Sequence, residues 1–360
     1  MFGSAHSRES GNPAVRRKSW VPAFAGTSGA AIAALIGCLS ATLAPASAQE
    51  QVKIGTGYGL AFLPIYVCQE LKLIEKHAQA AHLDLRVSFQ PFLSVERLQD
   101  AVGTGAVDMG PFGTAPLLAA WAKDKGSPQQ IFAVSGLTTL PMTLLSNQAN
   151  EQSFADLTPA DRIAVPTQTA PQMYLLELQS EKIFGRFDRL QRQVVVLSHA
   201  DAIAALVDHS SPAPRLVTAY FSSPPFTQLA LRDASIHPIL NSADVMGGKF
   251  SFLIMGASKA TIDAKPQLPE VIEQAIDEAS RLIHDDPRRA AQIYLTHEPS
   301  GTFSGGAMEA VVRSIKDEFG SAVYGVQTIA DFMARHGELR TPPRSWKEIV
   351  APALLNSPSS

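Results

Sequence analysis

Residues 83–135 read LDLRVSFQPFLSVERLQDAVGTGAVDMGPFGTAPLLAAWAKDKGSPQQIFAVS, and this stretch decides the fold class. Apolar and polar residues alternate at its start, which predicts a strand, and Ser94 then caps a predicted helix that ends at glycines. The pattern continues with a strand over 106–109, a helix over 117–123 and a strand over 131–135. Strands and helices that alternate at this spacing predict a parallel sheet covered by helices, and so an α/β protein.

The same alternation extends in both directions and separates into two units. The chain is predicted to leave the first unit near 140–146 and to return near 244–250. We therefore predict two α/β lobes joined by a hinge that the chain crosses twice. Because ligands of open α/β sheets bind at the carboxyl ends of strands, two such lobes predict a cleft that closes on a small molecule. The predicted boundaries are residues 49–142 with 248–350 for lobe one, 143–247 for lobe two and 351–360 for a C-terminal tail.

Composition excludes several functional classes. The 360 residues carry 30 Lys and Arg against 33 Asp and Glu, a formal net charge of −3, and 46% of them are hydrophobic. Such a chain is too apolar to be disordered, and it lacks the basic excess of a nucleic-acid-binding protein. The two cysteines, Cys38 and Cys68, are too few for a zinc ribbon or a disulfide framework, and Cys68 is predicted to be a buried small hydrophobe. No two histidines are four residues apart, so we predict no metal and no cofactor.

The first 48 residues predict a secretory signal peptide, and so a periplasmic protein. A basic cluster at 16–18 precedes an apolar run over 30–44, and Ala46-Ser47-Ala48 fits the small-residue cleavage pattern. The apolar run is shorter than the roughly 20 residues that a transmembrane anchor needs. Two alternatives stay open: the arginine pair permits twin-arginine export, and the sequence LIGC at 35–38 resembles a lipoprotein box that would attach a lipid to Cys38.

The candidate site consists of small polar residues that open helices directly after strands, at 113–115 and 167–170. Helix N-termini bind anions or carbonyl oxygens through unpaired N–H groups. The glycines at 55, 57 and 59 do not fit a dinucleotide fingerprint, because Leu60 replaces its third glycine. No P-loop, HExxH or GxSxG motif occurs, so we predict no catalytic residue and no enzyme. The predicted ligand-binding residues are Tyr58, Phe62, Phe92, Thr114, Ala115 and Ser135 in lobe one, and Thr167, Gln168, Thr169, Gln172, Tyr220 and Ser223 in lobe two.

Several short segments also follow one another in a familiar order, namely VKIG at 52–55, FLPIYV at 62–67, LQDAVGTGAVDMG at 98–110, FADL at 154–157, YFSSPPF at 220–226, ADFM at 330–333 and SWKE at 345–348. In order and spacing they resemble the periplasmic solute-binding proteins of nitrate/sulfonate/taurine-type ABC transporters, whose domain is called NMT1/THI5-like or SsuA-like. The resemblance covers nearly all of residues 52–350. The sequence departs from the family at 168–171, where a glycine-containing turn is common, and at 208–215.

The resemblance implies a type II periplasmic-binding-protein fold. It also implies a reversible binder of a small organic or oxyanionic nutrient, such as a sulfonate or taurine, nitrate or a pyrimidine. The partners so implied are that ligand and the permease and ATPase subunits of an inner-membrane ABC transporter; no nucleic acid is expected, and the protein is expected to be a monomer. Two alternatives remain: an enzyme of the thiamine-pyrimidine synthase type on the same fold, and a periplasmic ligand sensor. Those synthases carry a cysteine-rich segment and histidines for iron, and the predicted mature chain has one cysteine.

Overall fold

The computed structural model describes residues 50–208, 210, 216–299 and 301–356. The chain from Gln49 onward forms one compact unit. The predicted signal peptide, including Cys38, lies outside the described residues, and so does most of the departure at 208–215. No helix within the described part of the chain is long and apolar enough to cross a membrane.

In the described residues, ten strands form two five-stranded sheets, as expected for two α/β lobes. The sheet of lobe one has the order β2-β1-β3-β10-β4, and the sheet of lobe two has the order β7-β6-β8-β5-β9. In chain order, the strands are β1 (Glu50–Thr56), β2 (Leu85–Pro91), β3 (Met109–Phe112), β4 (Ile131–Thr138), β5 (Thr143–Ser146), β6 (Ile163–Val165), β7 (Val194–Val196), β8 (Ala219–Ser222), β9 (His237–Asn241) and β10 (Leu253–Ser258).

Four strands of each sheet run in the same direction, in line with the predicted parallel arrangement, and one strand of each sheet is reversed. β10 is antiparallel to both β3 and β4, and β5 is antiparallel to both β8 and β9. β5 and β10 are the first strands after the two crossings of the hinge. A chain that enters a lobe from the hinge starts at the end where the other strands finish, so its first strand runs in the opposite direction.

Thirteen α-helices occur in the described residues. Residues 63–80 form two consecutive helices, because Lys72 between them adopts a left-handed conformation with φ of 51°. The helices are α1 (Leu63–Leu71), α2 (Leu73–Ala80), α3 (Val95–Gly103), α4 (Thr114–Lys123), α5 (Pro171–Phe184), α6 (His199–Val207), α7 (Phe226–Ala230), α8 (Ser242–Met246), α9 (Lys259–Ala264), α10 (Leu268–Asp285), α11 (Pro287–His297), α12 (Gly305–Ser314) and α13 (Val326–Arg335).

Two predictions about the core have different outcomes. Cys68 is fully buried, as predicted, with its Sγ 3.5 Å from the carbonyl oxygen of Ala275, and burial raises the pKa of its thiol. The predicted tail at 351–360 begins inside the folded part. The Ala351 N–H donates to the Ala133 carbonyl at 2.7 Å, and Leu354 is fully buried. The edge strand β4 of lobe one is therefore covered by residues that the sequence pattern assigns to a tail.

A buried carboxyl group in lobe two links folding to pH. Glu151 is 2% exposed and Asp161 is 4% exposed, and the Ser146 hydroxyl donates to Glu151 at 2.5 Å. Burial raises the pKa of Glu151 from 4.5 to about 7; the Ser146 hydrogen bond opposes this shift, and the Asp161 carboxylate adds to it. At pH 6 the folded chain therefore holds a proton that the unfolded chain releases.

We expect the free energy of unfolding to fall by about 2 kcal/mol through this group as the pH rises from 4.5 through 7, and then to level off. Glu151→Gln keeps a neutral side chain at this position, so the variant is expected to lose this part of the pH dependence. Urea unfolding of both proteins at pH 5 and pH 8 measures the difference, with the exposed-site variant Glu70→Gln as the control. Equal pH dependence of the wild type and Glu151→Gln contradicts the prediction.

Candidate functional site

A cavity of about 1080 Å³ lies where strands of both sheets end. Its lobe-one wall includes the loop Tyr58–Phe62 after β1 and Gly113 after β3. Its lobe-two wall includes Pro166 after β6 and Ser223 after β8. The cavity therefore occupies the carboxyl ends of strands, where open α/β sheets bind their ligands.

Two helix N-termini meet at this cavity, one from each lobe. A Cβ atom built on Gly113, which precedes α4, would lie 3.6 Å from Cγ of Pro171, the first residue of α5. Neither helix has a side chain that caps its N-terminus. The N–H groups of the first turn have no partner within the helix, and proline has no N–H. The backbone donors left for a ligand are those of Thr114 and Ala115 on α4 and of Gln172 on α5.

The structure brings seven of the twelve predicted site residues to the cavity wall and leaves five away from it. Contact of any of them with a ligand stays a prediction. The seven that line the cavity are Tyr58, Phe62, Ala115, Thr167, Thr169, Gln172 and Ser223. The five that do not are Phe92, Thr114, Ser135, Gln168 and Tyr220.

Thr114 and Ser135 have structural partners in place of a position on the cavity wall. The Thr114 hydroxyl donates at 2.7 Å to the carbonyl oxygen of Ser251, just before β10, and so ties the start of α4 to the returning crossover. Ser135 lies within β4, and its hydroxyl donates at 2.7 Å to the carbonyl oxygen of Gly136. Both residues are almost completely buried. Their side chains therefore belong to the lobe-one framework, and contact of either residue with a ligand stays a prediction.

Phe92 and Gln168 lie away from the cavity wall for opposite reasons. Phe92 is partly buried and packs against the main core, which removes its ring from the cavity wall. Gln168 is exposed to solvent in the loop before α5, while its neighbours Thr167 and Thr169 line the cavity. Their positions depend on how each loop turns, which residue spacing does not determine.

Comparisons with known proteins identify solved structures that are similar to this chain. A scan against protein-family models finds no match, and a search of the curated proteins finds none either. Among solved structures, the MOPS-bound alkanesulfonate-binding protein SsuA from Xanthomonas axonopodis pv. citri is 18% identical with a TM-score of 0.63, and the match covers 84% of this chain and 97% of that one. The periplasmic aliphatic sulphonate-binding protein SsuA from Escherichia coli is 16% identical with a TM-score of 0.64, covering 84% and 92%. The periplasmic nitrate-binding protein NrtA from Synechocystis PCC 6803 is 13% identical with a TM-score of 0.61, covering 86% and 89%.

The fold is that of the periplasmic binding proteins. At these identities the likeness establishes the architecture, and the site has to be argued from this chain's own residues. Two buried polar residues on the lobe-two wall of the cavity are the clearest candidates for ligand contact. Gln172 is 2% exposed and Ser223 is 4% exposed, and neither side chain hydrogen-bonds to another described residue. Because buried polar groups are almost always paired, both are candidates to pair with a ligand.

A histidine that the sequence analysis missed extends the lobe-two wall of the periplasmic-binding fold. His199 lines the cavity, and its ring stacks on Phe226 with centroids 4.5 Å apart and an angle of 13° between the planes. Its Nδ1 is hydrogen-bonded to the hydroxyl of Tyr220, which is completely buried. Burial lowers the pKa of His199 to about 4, so the ring is neutral at pH 7. Tyr220, predicted as a ligand contact, therefore acts behind the wall by fixing His199.

The hydrogen bond between Tyr220 and His199 also sets the tautomer. The phenol O–H has no other acceptor among the described residues, so we assign it as the donor to Nδ1. A neutral imidazole that accepts at Nδ1 carries its proton at Nε2. His199 is thereby a neutral N–H donor on the cavity wall.

A residue far away in the sequence, Glu298, holds the lobe-one loop that contains Gly59. The Glu298 carboxylate, which follows α11, accepts the Gly59 N–H at 2.6 Å, the Tyr66 hydroxyl at 2.6 Å and the Tyr294 hydroxyl at 3.2 Å. Gly59 has φ of 109°, a value that favours glycine. Glu298 therefore fixes the turn that presents Tyr58, and no sequence signal indicates this role, since 239 positions separate Gly59 from Glu298.

Charge along the cavity wall is mostly negative. Glu96, Asp100 and Asp124 line it together with Lys123, and no arginine does so among the described residues. The Ser94 hydroxyl, 2.6 Å away, lowers the pKa of Glu96, which is therefore ionised at neutral pH. Thr169 of lobe two donates to the same carboxylate at 3.4 Å, a hydrogen bond that joins the two lobes across the cleft.

Proposed function

We propose that this chain is the solute-binding component of an ABC importer. In this proposal it is exported to the periplasm, acts as a monomer without catalysis, and delivers its ligand to a membrane permease and its ATPase. One observation carries the proposal: Gln172 is 2% exposed, and its amide lies on the wall of a cavity between two lobes without a hydrogen bond to another described residue. The likeness in fold to sulfonate- and nitrate-binding proteins supports the same role.

Binding is proposed to proceed by closure of the lobes on the ligand. The Tyr58 loop and the N-terminus of α4 hold the ligand on lobe one. Lobe two then adds the N-terminus of α5, the Gln172 amide and the His199 Nε2–H. The ligand favours the closed arrangement because only that arrangement supplies both sets of contacts, and its affinity for the two arrangements differs accordingly.

The ligand class that this wall favours is an organic solute held by neutral donors. A sulfonate or a pyrimidine-like heterocycle meets this description better than nitrate does. The cavity of about 1080 Å³ is at the upper end of the range for drug-sized ligands, and a bare oxyanion would fill little of it. Among the described lining residues there is no arginine that could bind a small anion through two hydrogen bonds, and three carboxylates disfavour a compact unshielded charge.

A thermal-shift screen of the purified protein tests the proposal. The panel contains taurine, longer alkanesulfonates, nitrate, aromatic acids and pyrimidines. A ligand at 100 times its dissociation constant adds roughly 2.7 kcal/mol and raises Tm by a few degrees. We expect an organic member of the panel to give this shift and nitrate to give none. Absence of any shift, together with the absence of a co-purified small molecule in mass spectra of the denatured protein, contradicts the proposal.

A further inference from the structure

The cavity does not end at the cleft but continues between two helices of lobe one. Its lining residues on α3 and α4 recur every four positions, which is the spacing of a single helix face. The two faces are therefore turned toward a shared groove. On α3 and just after it, the lining residues are Val95, Glu96, Gln99, Asp100, Gly103 and Thr104, and on α4 and just after it they are Ala115, Pro116, Ala119, Ala120, Lys123 and Asp124.

Small side chains keep the groove between α3 and α4 open. A Cβ atom on Gly103 would meet nothing within 4 Å, and the facing residues on α4 are Ala119 and Ala120. Phe112 and Ile131, both buried apolar residues from the sheet, line the same cavity and supply apolar surface. The α4 side and the floor of the groove thus offer apolar contact, the α3 side adds polar groups, and the groove has room for a substituent.

The length and ends of the groove limit its occupant. From Gly113 to Asp124 the helix advances about 16 Å, at 1.5 Å per residue. The end next to Gly113 adjoins the unpaired donors of the cleft, including the Gln172 amide. The far end carries Asp100, Lys123 and Asp124, which are polar and reach solvent. An occupant would therefore place a polar head in the cleft and an apolar body of limited length along α4.

We infer that the groove between α3 and α4 is a binding subsite for the apolar body of an elongated organic ligand whose polar head is held in the cleft. This inference rests on the proposed function and narrows its substrate class. Compact solutes such as taurine would leave the groove unfilled, and a chain longer than about 16 Å would emerge among the charged residues at its far end. Removal of apolar surface from water in the groove is then the main source of affinity.

Titration calorimetry with straight-chain homologues tests the subsite. The probes are the ethyl, hexyl and decyl members of two series, the alkanesulfonates and the N-alkyl carboxamides. In at least one series we expect the affinity to rise by about fourfold for each added methylene group, until the chain outgrows the groove. Gly103→Leu and Ala119→Leu fill the groove, and each variant is expected to lose this gain while it binds the ethyl homologue as the wild type does. Ala260→Leu, on the exposed helix α9, is the matched control and keeps the wild-type dependence on chain length.

The outcomes separate the subsite from the proposed function. Binding of the short homologues with no gain from longer chains overturns the subsite and leaves the solute-binding role intact. A gain from chain length that persists in Gly103→Leu and Ala119→Leu also overturns the subsite, because the chain then lies elsewhere. Failure of both series to bind at every chain length overturns the subsite, whereas the solute-binding role is overturned only when the whole thermal-shift panel gives no shift and no small molecule co-purifies with the protein. Urea unfolding of the variants, performed in parallel, verifies that they are folded.

Discussion

Glu298→Ala is expected to lower the free energy of unfolding by about 4 kcal/mol and to weaken ligand binding at the same time. The substitution removes the shared acceptor of the Gly59 N–H and the Tyr294 hydroxyl, which have no other acceptor among the described residues, and leaves the Tyr66 hydroxyl with the Gly57 carbonyl oxygen at 2.8 Å. Both tyrosines are almost completely buried, so water replaces the carboxylate poorly. Hydrogen bonds to a charged group contribute about 1.5–3 kcal/mol each, and their losses at one acceptor are not fully additive.

Glu298→Ala is expected to weaken ligand binding by changing the conformation of the Tyr58 loop, and not by removing a contact between Glu298 and the ligand. Glu298 fixes Gly59 in a left-handed conformation, and this turn places the neighbouring Tyr58 at the cavity. Without the acceptor the loop samples other conformations, and ordering it again on ligand binding costs conformational entropy. We therefore expect weaker affinity in Glu298→Ala even for ligands that touch only Tyr58.

Urea unfolding and titration with a ligand identified by thermal shift measure the two effects of Glu298→Ala. Tyr294→Phe is the graded control, because it removes one donor at 3.2 Å and is expected to cost only about 1 kcal/mol. Glu298→Gln keeps an acceptor oxygen and should fall between the two. A free energy of unfolding for Glu298→Ala within 1 kcal/mol of the wild type would show that the loop is held by other contacts.

The sequence predicts the features of this fold that repeat locally. Alternation of strands and helices indicates two α/β lobes, and small polar residues after strands mark the N-termini of α4 and α5, which the structure places at one cavity. The reversed direction of β5 and β10 escapes the pattern, because it depends on where the chain enters each lobe. A hydroxyl in a sequence motif also gives no information on its partner, so Thr114 and Ser135 look like ligand donors although they bond to the backbone.

Residues whose role depends on distant neighbours are the ones that sequence reasoning misses. His199 begins α6 and looks like an ordinary helix start, and only the buried Tyr220 behind it makes its ring a neutral donor. Glu298 resembles any surface acid after a helix until the loop at Gly59 folds against it. Both roles arise in the tertiary structure, since elements far apart in the chain supply the partners.

Gln172→Leu is expected to weaken ligand binding by about 100-fold and to raise the stability of the ligand-free protein by about 1 kcal/mol. The side chain is 2% exposed, lines the cavity and has no hydrogen bond to another described residue. An amide on a residue this buried has little contact with water in the ligand-free protein, which costs free energy, and leucine replaces it at similar size. In the complex, the same substitution leaves a polar group of the ligand unpaired inside a closed cavity, which is a larger loss than the gain in the free protein.

Titration with the ligand and urea unfolding without it give two independent readouts for Gln172→Leu. Gln79→Leu is the matched control, since Gln79 is exposed on α2 and does not line the cavity; it should leave both values near the wild type. A drop in the stability of ligand-free Gln172→Leu would mean that the amide is paired within the protein. Unchanged affinity would mean that it does not face the ligand. A substitution that raises the stability of the ligand-free protein and weakens ligand binding shows that the Gln172 amide serves binding at the expense of stability.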